Sequence, residues 1–128
     1  MARILVIDED ALVRANLRRL LVLEGHEVQE AEGGLRGVEL ALADPPDLVL
    51  CDLVMPDLDG YTVMRRMRED PRTARVPFVA VTGSAAPADV QRGFRSGADG
   101  YVTKPFEIDH PLGVVTRLLG ARGAPPAP

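Results

Sequence analysis

The sequence predicts an α/β fold with a doubly wound parallel sheet. Short, continuous apolar runs alternate with segments of helical period. The alternation repeats in strand-then-helix order five times, which implies a parallel sheet covered by helices on both faces. Crossovers of the usual right hand make a doubly wound sheet the simplest topology.

Residues 4–7 (Ile-Leu-Val-Ile) read as a buried first strand. In 11–24, Val13, Leu17, Leu20 and Leu21 fall at helical spacing, Arg14, Arg18 and Arg19 take the other face, and Gly25 ends the helix. Residues 27–31 alternate around Val28 and suit an edge strand. After Gly33-Gly34, a second helix is marked by Leu35, Val38 and Leu42 and ends near Asp44-Pro45-Pro46. A third strand covers 47–51, and a helix over 61–69 turns Val63, Met64 and Met67 inward. The fourth strand runs over 77–81, followed by a helix over 87–96 carried by Val90 and Phe94 and stopped by Gly97. Tyr101-Val102 forms a short fifth strand, and Leu112, Val115, Leu118 and Leu119 mark a last helix. The expected organisation is one domain over 1–120 and a flexible Ala/Gly/Pro tail over 121–128.

Of the 128 residues 46% are hydrophobic but only 4% aromatic, so Val, Leu, Ile, Ala and Met must fill the core. The net charge is −4, and no Lys/Arg stripe is interleaved with aromatics, which argues against nucleic-acid binding. One cysteine, Cys51, excludes an internal disulfide framework and suits a reducing compartment, with a small buried core residue as its expected role. The apolar stretch at 4–7 is too short for a signal peptide or a membrane span, so a soluble cytoplasmic protein is expected.

In open α/β sheets, ligands bind beyond the carboxyl ends of the strands. The first strand here ends in Asp8-Glu9-Asp10, the third in Asp52 and the fourth in Thr82-Gly83-Ser84, and the fifth is followed by Thr103-Lys104-Pro105. Carboxylates gathered on one rim repel, and a hard divalent cation relieves that repulsion. Mg2+ suits an open rim because it takes a few oxygens and keeps water and phosphate around it. A lysine there is a point charge for a phosphoryl oxygen, and Asp52 is placed to be a nucleophile that takes the phosphoryl group as an acyl phosphate. Taken singly, each residue has a plainer role: Asp10 as a helix cap, Thr82 as a turn residue, Lys104 as a surface lysine, Asp57 and Asp59 as turn formers. Joint placement at successive strand ends favours the chemical reading.

The segments Ile4-Leu5-Val6-Ile7-Asp8-Glu9, 52–60, Val81-Thr82-Gly83-Ser84 and 97–106 together resemble the receiver domain of bacterial two-component response regulators, in a stand-alone form like that of the chemotaxis regulators. The resemblance covers residues 3 to about 120. It implies a flavodoxin-like (βα)5 sheet in strand order 2-1-3-4-5. It implies that Asp52 accepts a phosphoryl group from a histidine kinase or a histidine phosphotransfer protein. Asp8, Glu9 and Asp52 would bind Mg2+ with the backbone carbonyl of Val54, and Lys104 would hold a phosphoryl oxygen. Thr82 would move toward the phosphoryl group, Tyr101 would turn inward with it, and the Lys104–Pro105 bond would be cis. Helix four, strand five and helix five would present the face read by a downstream protein. Such a protein is no enzyme beyond catalysing its own phosphorylation and dephosphorylation.

Two positions depart from the usual pattern or tune it. The second N-terminal acid is Glu9 where Asp is more usual, and its extra methylene predicts a weaker Mg2+ site. In this family the side chains at Val54 and Ser84 set how fast water removes the phosphoryl group, and apolar Val54 predicts slow removal. The main alternative is a constitutive, non-phosphorylated receiver-like interaction module. Asp57-Leu58-Asp59-Gly60 also looks like the nucleophile loop of haloacid-dehalogenase hydrolases, but Met55-Pro56 separates it from the strand. A flavin-binding domain would need a phosphate-cradling loop where Asp8-Glu9-Asp10 stands.

Overall fold

A computed structural model describes residues 2–123. The elements are β1 (Arg3–Ile7), α1 (Ala11–Leu23), β2 (Glu27–Ala31), α2 (Gly34–Ala43), β3 (Leu48–Asp52), α3 (Gly60–Glu69), β4 (Phe78–Thr82), α4 (Pro87–Arg95), β5 (Gly100–Thr103) and α5 (Asp109–Gly123). The strands form one parallel sheet in the order β2-β1-β3-β4-β5. The doubly wound fold and its strand order are therefore as expected.

Alternation along the strands splits the core in two. Leu5, Ile7, Val49, Cys51, Phe78 and Ala80 face the layer of α2, α3 and α4, where Val38, Val63, Met64 and Met67 meet them. Ile4, Val6, Leu48, Leu50, Val79 and Val81 face α1 and α5, packing with Leu17, Leu21 and Val115. β3 and β4 are buried throughout, as fits central strands of a two-sided sheet. β2 shows the half-buried alternation of an edge.

Helix ends follow local chemistry. Asp10 caps α1, accepting from the Leu12 and Val13 N–H groups, and Asp59 caps α3 through the Thr62 N–H. Gly25 and Gly97, with φ of 89° and 118°, occupy left-handed turns just after α1 and α4, where a side chain would be strained.

Two expected core residues lie elsewhere. Leu35 is 55% exposed and Phe94 46% exposed. Leu35 stands in the first turn of α2, to one side of the buried stripe formed by Gly34, Gly37, Val38 and Ala41. In α4 the only buried residue is Gly93, so this helix rests lightly on the sheet, with Val90 partly buried. At the end of the chain, α5 continues through residues 121–123 of the expected tail, and 124–128 lie outside the described residues. Among the described residues no helix is long and apolar enough to cross a membrane.

Candidate functional site

Strand register builds the rim. Ile7 pairs with Cys51, Asp52 with Val81 and Thr82 with Thr103. Asp8 and Asp52 therefore leave adjacent strands at one level, and Thr82 and Lys104 follow on the next two. The sheet thereby gathers Asp8, Asp52, Thr82 and Lys104 at one rim.

Asp8 and Asp52 are almost wholly buried, at 1% and 7% exposure. The Lys104 ammonium lies between them, with Nζ 2.7 Å from Asp8 Oδ2 and 3.0 Å from Asp52 Oδ2. Asp52 Oδ2 accepts a hydrogen bond from Lys104, and Asp52 Oδ1 accepts from the Val54 N–H at 3.0 Å. Asp8 Oδ1 accepts from the Asp10 N–H at 2.9 Å. The approach of Lys104 to Asp8 Oδ2 is a close ion pair without aligned hydrogen-bond geometry. Among the described residues, Asp8 Oδ2 is the one buried side-chain oxygen or nitrogen left without a hydrogen-bond partner. Burial pulls the Lys104 ammonium toward a lower pKa, but its contacts with Asp8 and Asp52 outweigh burial and hold it above its ordinary value.

Glu9 does not join this pair. It is exposed, and among the described residues no group of three or more His, Cys, Asp or Glu side chains is arranged to hold a metal ion. The sequence alone missed this because the direction of a side chain beyond a strand end is set by the turn. The acids that do converge nevertheless fit Mg2+ in chemistry. They offer oxygen donors alone, outnumber their one ammonium, and leave Asp8 Oδ2 ion-paired to Lys104 but without a hydrogen bond.

Thr82 ends β4 at 5% exposure, and its carbonyl accepts from the Lys104 N–H at 2.8 Å. The Lys104–Pro105 bond is cis. Ser84 donates through Oγ to the Asp89 carboxylate, and its carbonyl accepts from the Tyr101 hydroxyl at 2.7 Å. Tyr101 is 9% exposed, already turned in beneath the loop after β4, with the Phe94 ring centroid 6.3 Å away. Burial, then the neighbouring Tyr61 and Asp89, raise the Tyr101 phenol above its ordinary pKa, so it stays a donor. Val54 is 72% exposed at the mouth of the site. A cleft of about 320 Å³ runs beside the rim, lined among others by Val54, Tyr61, Thr82, Ser84, Arg92 and Tyr101. Arg92 stacks on the Tyr61 ring at 4.2 Å across it. A larger cavity near Arg3, Arg18 and His26 lies among different elements from the rim acids.

Sequence reasoning missed other participants. Arg14, read as a solvent-facing residue of α1, donates to the Asp8 carbonyl at 2.6 Å and to Glu30 at 3.3 Å, steadying the turn that carries the acids. Asp57, read as a turn former, accepts from the Gly34 and Leu35 N–H groups at the start of α2. Arg68 and Asp99 join α3 to the segment before β5, and Asp99 also accepts from the Phe78 N–H. Only a Gly-Gly ahead of α2, with no capping side chain, hinted at any of these. Cys51 is buried as expected. Burial first, then the Asp52 and Asp8 charges, push its thiol well above the ordinary 9.0.

Comparison with known proteins agrees with this geometry. The family model for the response regulator receiver domain matches residues 4–115. The chain is 42% identical to the DNA-binding dual master transcriptional regulator RpaA of Synechocystis over 93% of its length, but spans only 49% of that protein. It is 38% identical to Protein PilH of Pseudomonas aeruginosa, covering 93% of this chain and 98% of PilH. Among solved structures, the chemotaxis protein CheY4 of Vibrio cholerae superposes with a TM-score of 0.86 at 26% identity, over 92% of this chain and 98% of that one. The receiver domain of the sensor histidine kinase PA1611 of P. aeruginosa, which has a magnesium ion coordinated in its active-site cleft, gives 0.85 at 27% identity, over 93% and 98% of the two chains.

Proposed function

The chain belongs to the response regulator receiver domain family of two-component signalling, and from that premise we propose that it is a phosphoryl-accepting switch with Asp52 as the acceptor. One observation carries the reading: the Lys104 ammonium is held between the buried Asp8 and Asp52 carboxylates.

An Asp52 carboxylate oxygen attacks the phosphorus of a phosphohistidine on a histidine kinase or phosphotransfer protein. The O–P bond forms, the P–N bond breaks, and the electron pair leaves on the imidazole nitrogen, which takes a proton from solvent. Asp8, Glu9, Asp52 and the Val54 carbonyl would hold Mg2+, which when bound would supply charge neutralisation for the phosphoryl oxygens. Glu9 must swing inward to take part, a proposal supported by its freedom at the surface. Lys104 turns from the Asp52 oxygen to a phosphoryl oxygen, and the Thr82 hydroxyl donates to another. The Val54 N–H orients Asp52 for attack. These are positioning and electrostatic contributions, which dominate phosphoryl transfer.

The modified aspartate draws Thr82 and Lys104 into new charge-assisted hydrogen bonds. Moving a population from 1% to 99% active needs about 5.5 kcal/mol. Two or three bonds at about 1.5–3 kcal/mol each supply it. The readout face is α4, β5 and α5, and α4 is fastened to the core by a single buried residue, Gly93. The partners are a phosphodonor protein and a downstream protein rather than nucleic acid or membrane, the setting is cytoplasmic, and the only catalysis is on Asp52 itself.

The test is incubation with acetyl phosphate, with and without Mg2+, followed by intact mass, with Asp52→Asn as control. One Mg2+-dependent phosphoryl group, absent from the variant, is expected. A folded protein that gains no mass shifts the reading to a constitutive interaction module, which the outward position of Glu9 favours.

A further inference from the structure

Helix α2 begins at Gly34 after Gly33, which has no side chain to cap it. The orphan N–H groups of its first turn are met instead from the loop that follows Asp52. Asp57 Oδ1 accepts from the Gly34 N–H and Oδ2 from the Leu35 N–H, each at 3.1 Å, and Oδ1 also accepts from the Leu58 N–H at 2.8 Å. The contact is tight enough to need both glycines. A Cβ on Gly33 would lie 2.7 Å from Asp57 Oδ2, and one on Gly34 would lie 2.4 Å from the Leu58 carbonyl oxygen. The carboxylate also faces the positive end of the α2 dipole.

The same loop reaches the rim. Its inner end carries Val54, whose N–H holds Asp52 Oδ1, and its outer end is closed by the Gly60 N–H on the Leu53 carbonyl at 3.1 Å. The side chains of Val54, Pro56, Asp57 and Asp59 are exposed, so packing alone fastens only part of the loop. Asp57 is its polar link to α2.

We infer that Asp57 is a positioning residue, whose hydrogen bonds to the amino end of α2 hold the 53–59 loop in the shape that binds Mg2+ beside Asp8 and Asp52. The inference rests on the proposed receiver chemistry and adds to it a second anchor, remote from the phosphoryl group, that sets the metal affinity of the site.

The experiment is calorimetric Mg2+ titration of the wild type, Asp57→Ala, Asp57→Asn and Asp99→Ala, with urea unfolding of each. Asp99 serves as the stability control, because it fastens Arg68 and the Phe78 N–H at the far end of β4. Asp57→Ala is expected to bind Mg2+ about tenfold more weakly, and Asp57→Asn, whose amide oxygen keeps one of the two α2 hydrogen bonds, within about threefold of the wild type. Asp99→Ala is expected to lose stability and keep its Mg2+ affinity. Wild-type affinity in Asp57→Ala overturns the inference alone, since Asp52 is still loaded by acetyl phosphate in that case. Equal weakening in Asp57→Asn and Asp57→Ala overturns it in favour of simple charge. A wild type that binds no Mg2+ overturns it together with the metal part of the receiver reading, and phosphoryl uptake then judges the rest of that reading. Loss of Mg2+ affinity in Asp99→Ala, in step with stability, reduces the effect to general loosening and also overturns it.

Discussion

Gly60 lies directly against Asp52: a Cβ atom at residue 60 would stand 2.3 Å from the Asp52 carbonyl oxygen and 2.8 Å from Leu53 Cα. The first turn of α3 is thus in backbone contact with the proposed phosphoacceptor, and neither neighbour is a flexible side chain that can yield. Gly60→Ala must push helix and strand end apart. Overpacking of this kind costs about 1–3 kcal/mol. Urea unfolding is expected to show that loss, and the acetyl phosphate reaction is expected to slow as Asp52 is displaced. A variant of unchanged midpoint and rate refutes the contact.

Lys104 neutralises two buried acids, so its removal leaves like charges facing each other. Its pKa is raised in the fold, which means that its contribution is fully present below its ordinary 10.5 and fades only as pH climbs through the raised value. At neutral pH, Lys104→Met is expected to lose about 1.5–3 kcal/mol of stability, the range of a hydrogen bond to a charged group. The loss should be larger in EDTA than in excess Mg2+, because a bound cation replaces part of the missing charge. Equal unfolding midpoints in the two buffers count against a shared acidic site.

Asp8, Asp52, Thr82 and Lys104 were legible in the sequence because one rule governs them: each closes or follows a buried strand, and parallel register aligns strand ends. The period of apolar residues likewise found all ten elements. It failed at Leu35 and Phe94, since the buried positions beside them are held by glycines, Gly34, Gly37 and Gly93, which an apolar period does not count. Asp57, Arg14 and Arg68 were hidden for another reason. Each acts on backbone or side-chain groups of elements other than its own, and Asp57 meets Gly34 across 23 residues. Such partners depend on loop paths that no local pattern encodes. Glu9 shows the same limit at short range, since its place in the chain was clear and its direction was not.

Acid should loosen the Asp57 anchor. Hydrogen bonds from Leu35, opposed by slight desolvation and supported by those from Gly34 and Leu58, lower its pKa below the ordinary 3.8. A carboxylate with a depressed folded value contributes stability above its unfolded pKa and loses it as pH falls through the folded one. Asp57→Asn is therefore expected to be less stable than the wild type at pH 6, with the gap closing at pH values below 3.8. Urea midpoints measured across that window check it, and a gap that is constant or widens in acid contradicts the anchor's charge.

Glu9→Asp shortens the one carboxylate of the proposed donor set that stands outside the Asp8–Asp52 pair. Mg2+ demands near-ideal geometry, and bringing a long side chain inward costs rotamer freedom. The variant is expected to bind Mg2+ more tightly than the wild type in the same calorimetric titration. Unchanged affinity removes Glu9 from the proposed donor set.

Val54 is 72% exposed at the mouth of the site, in a position to face any water approaching a phosphoryl group on Asp52. Its isopropyl group neither donates nor accepts a hydrogen bond, so it shields that face and orients nothing. An amide at the same point can hold the attacking water in line. One added transition-state hydrogen bond of about 1.4 kcal/mol is a tenfold rate effect. Val54→Asn is therefore expected to lose its phosphoryl group about tenfold faster, on the same ground. The backbone N–H that steadies Asp52 is common to both proteins, so loading should be little changed. Decay of the phosphorylated mass after removal of acetyl phosphate measures the difference, and a wild type that decays as fast as the variant refutes the shielding role.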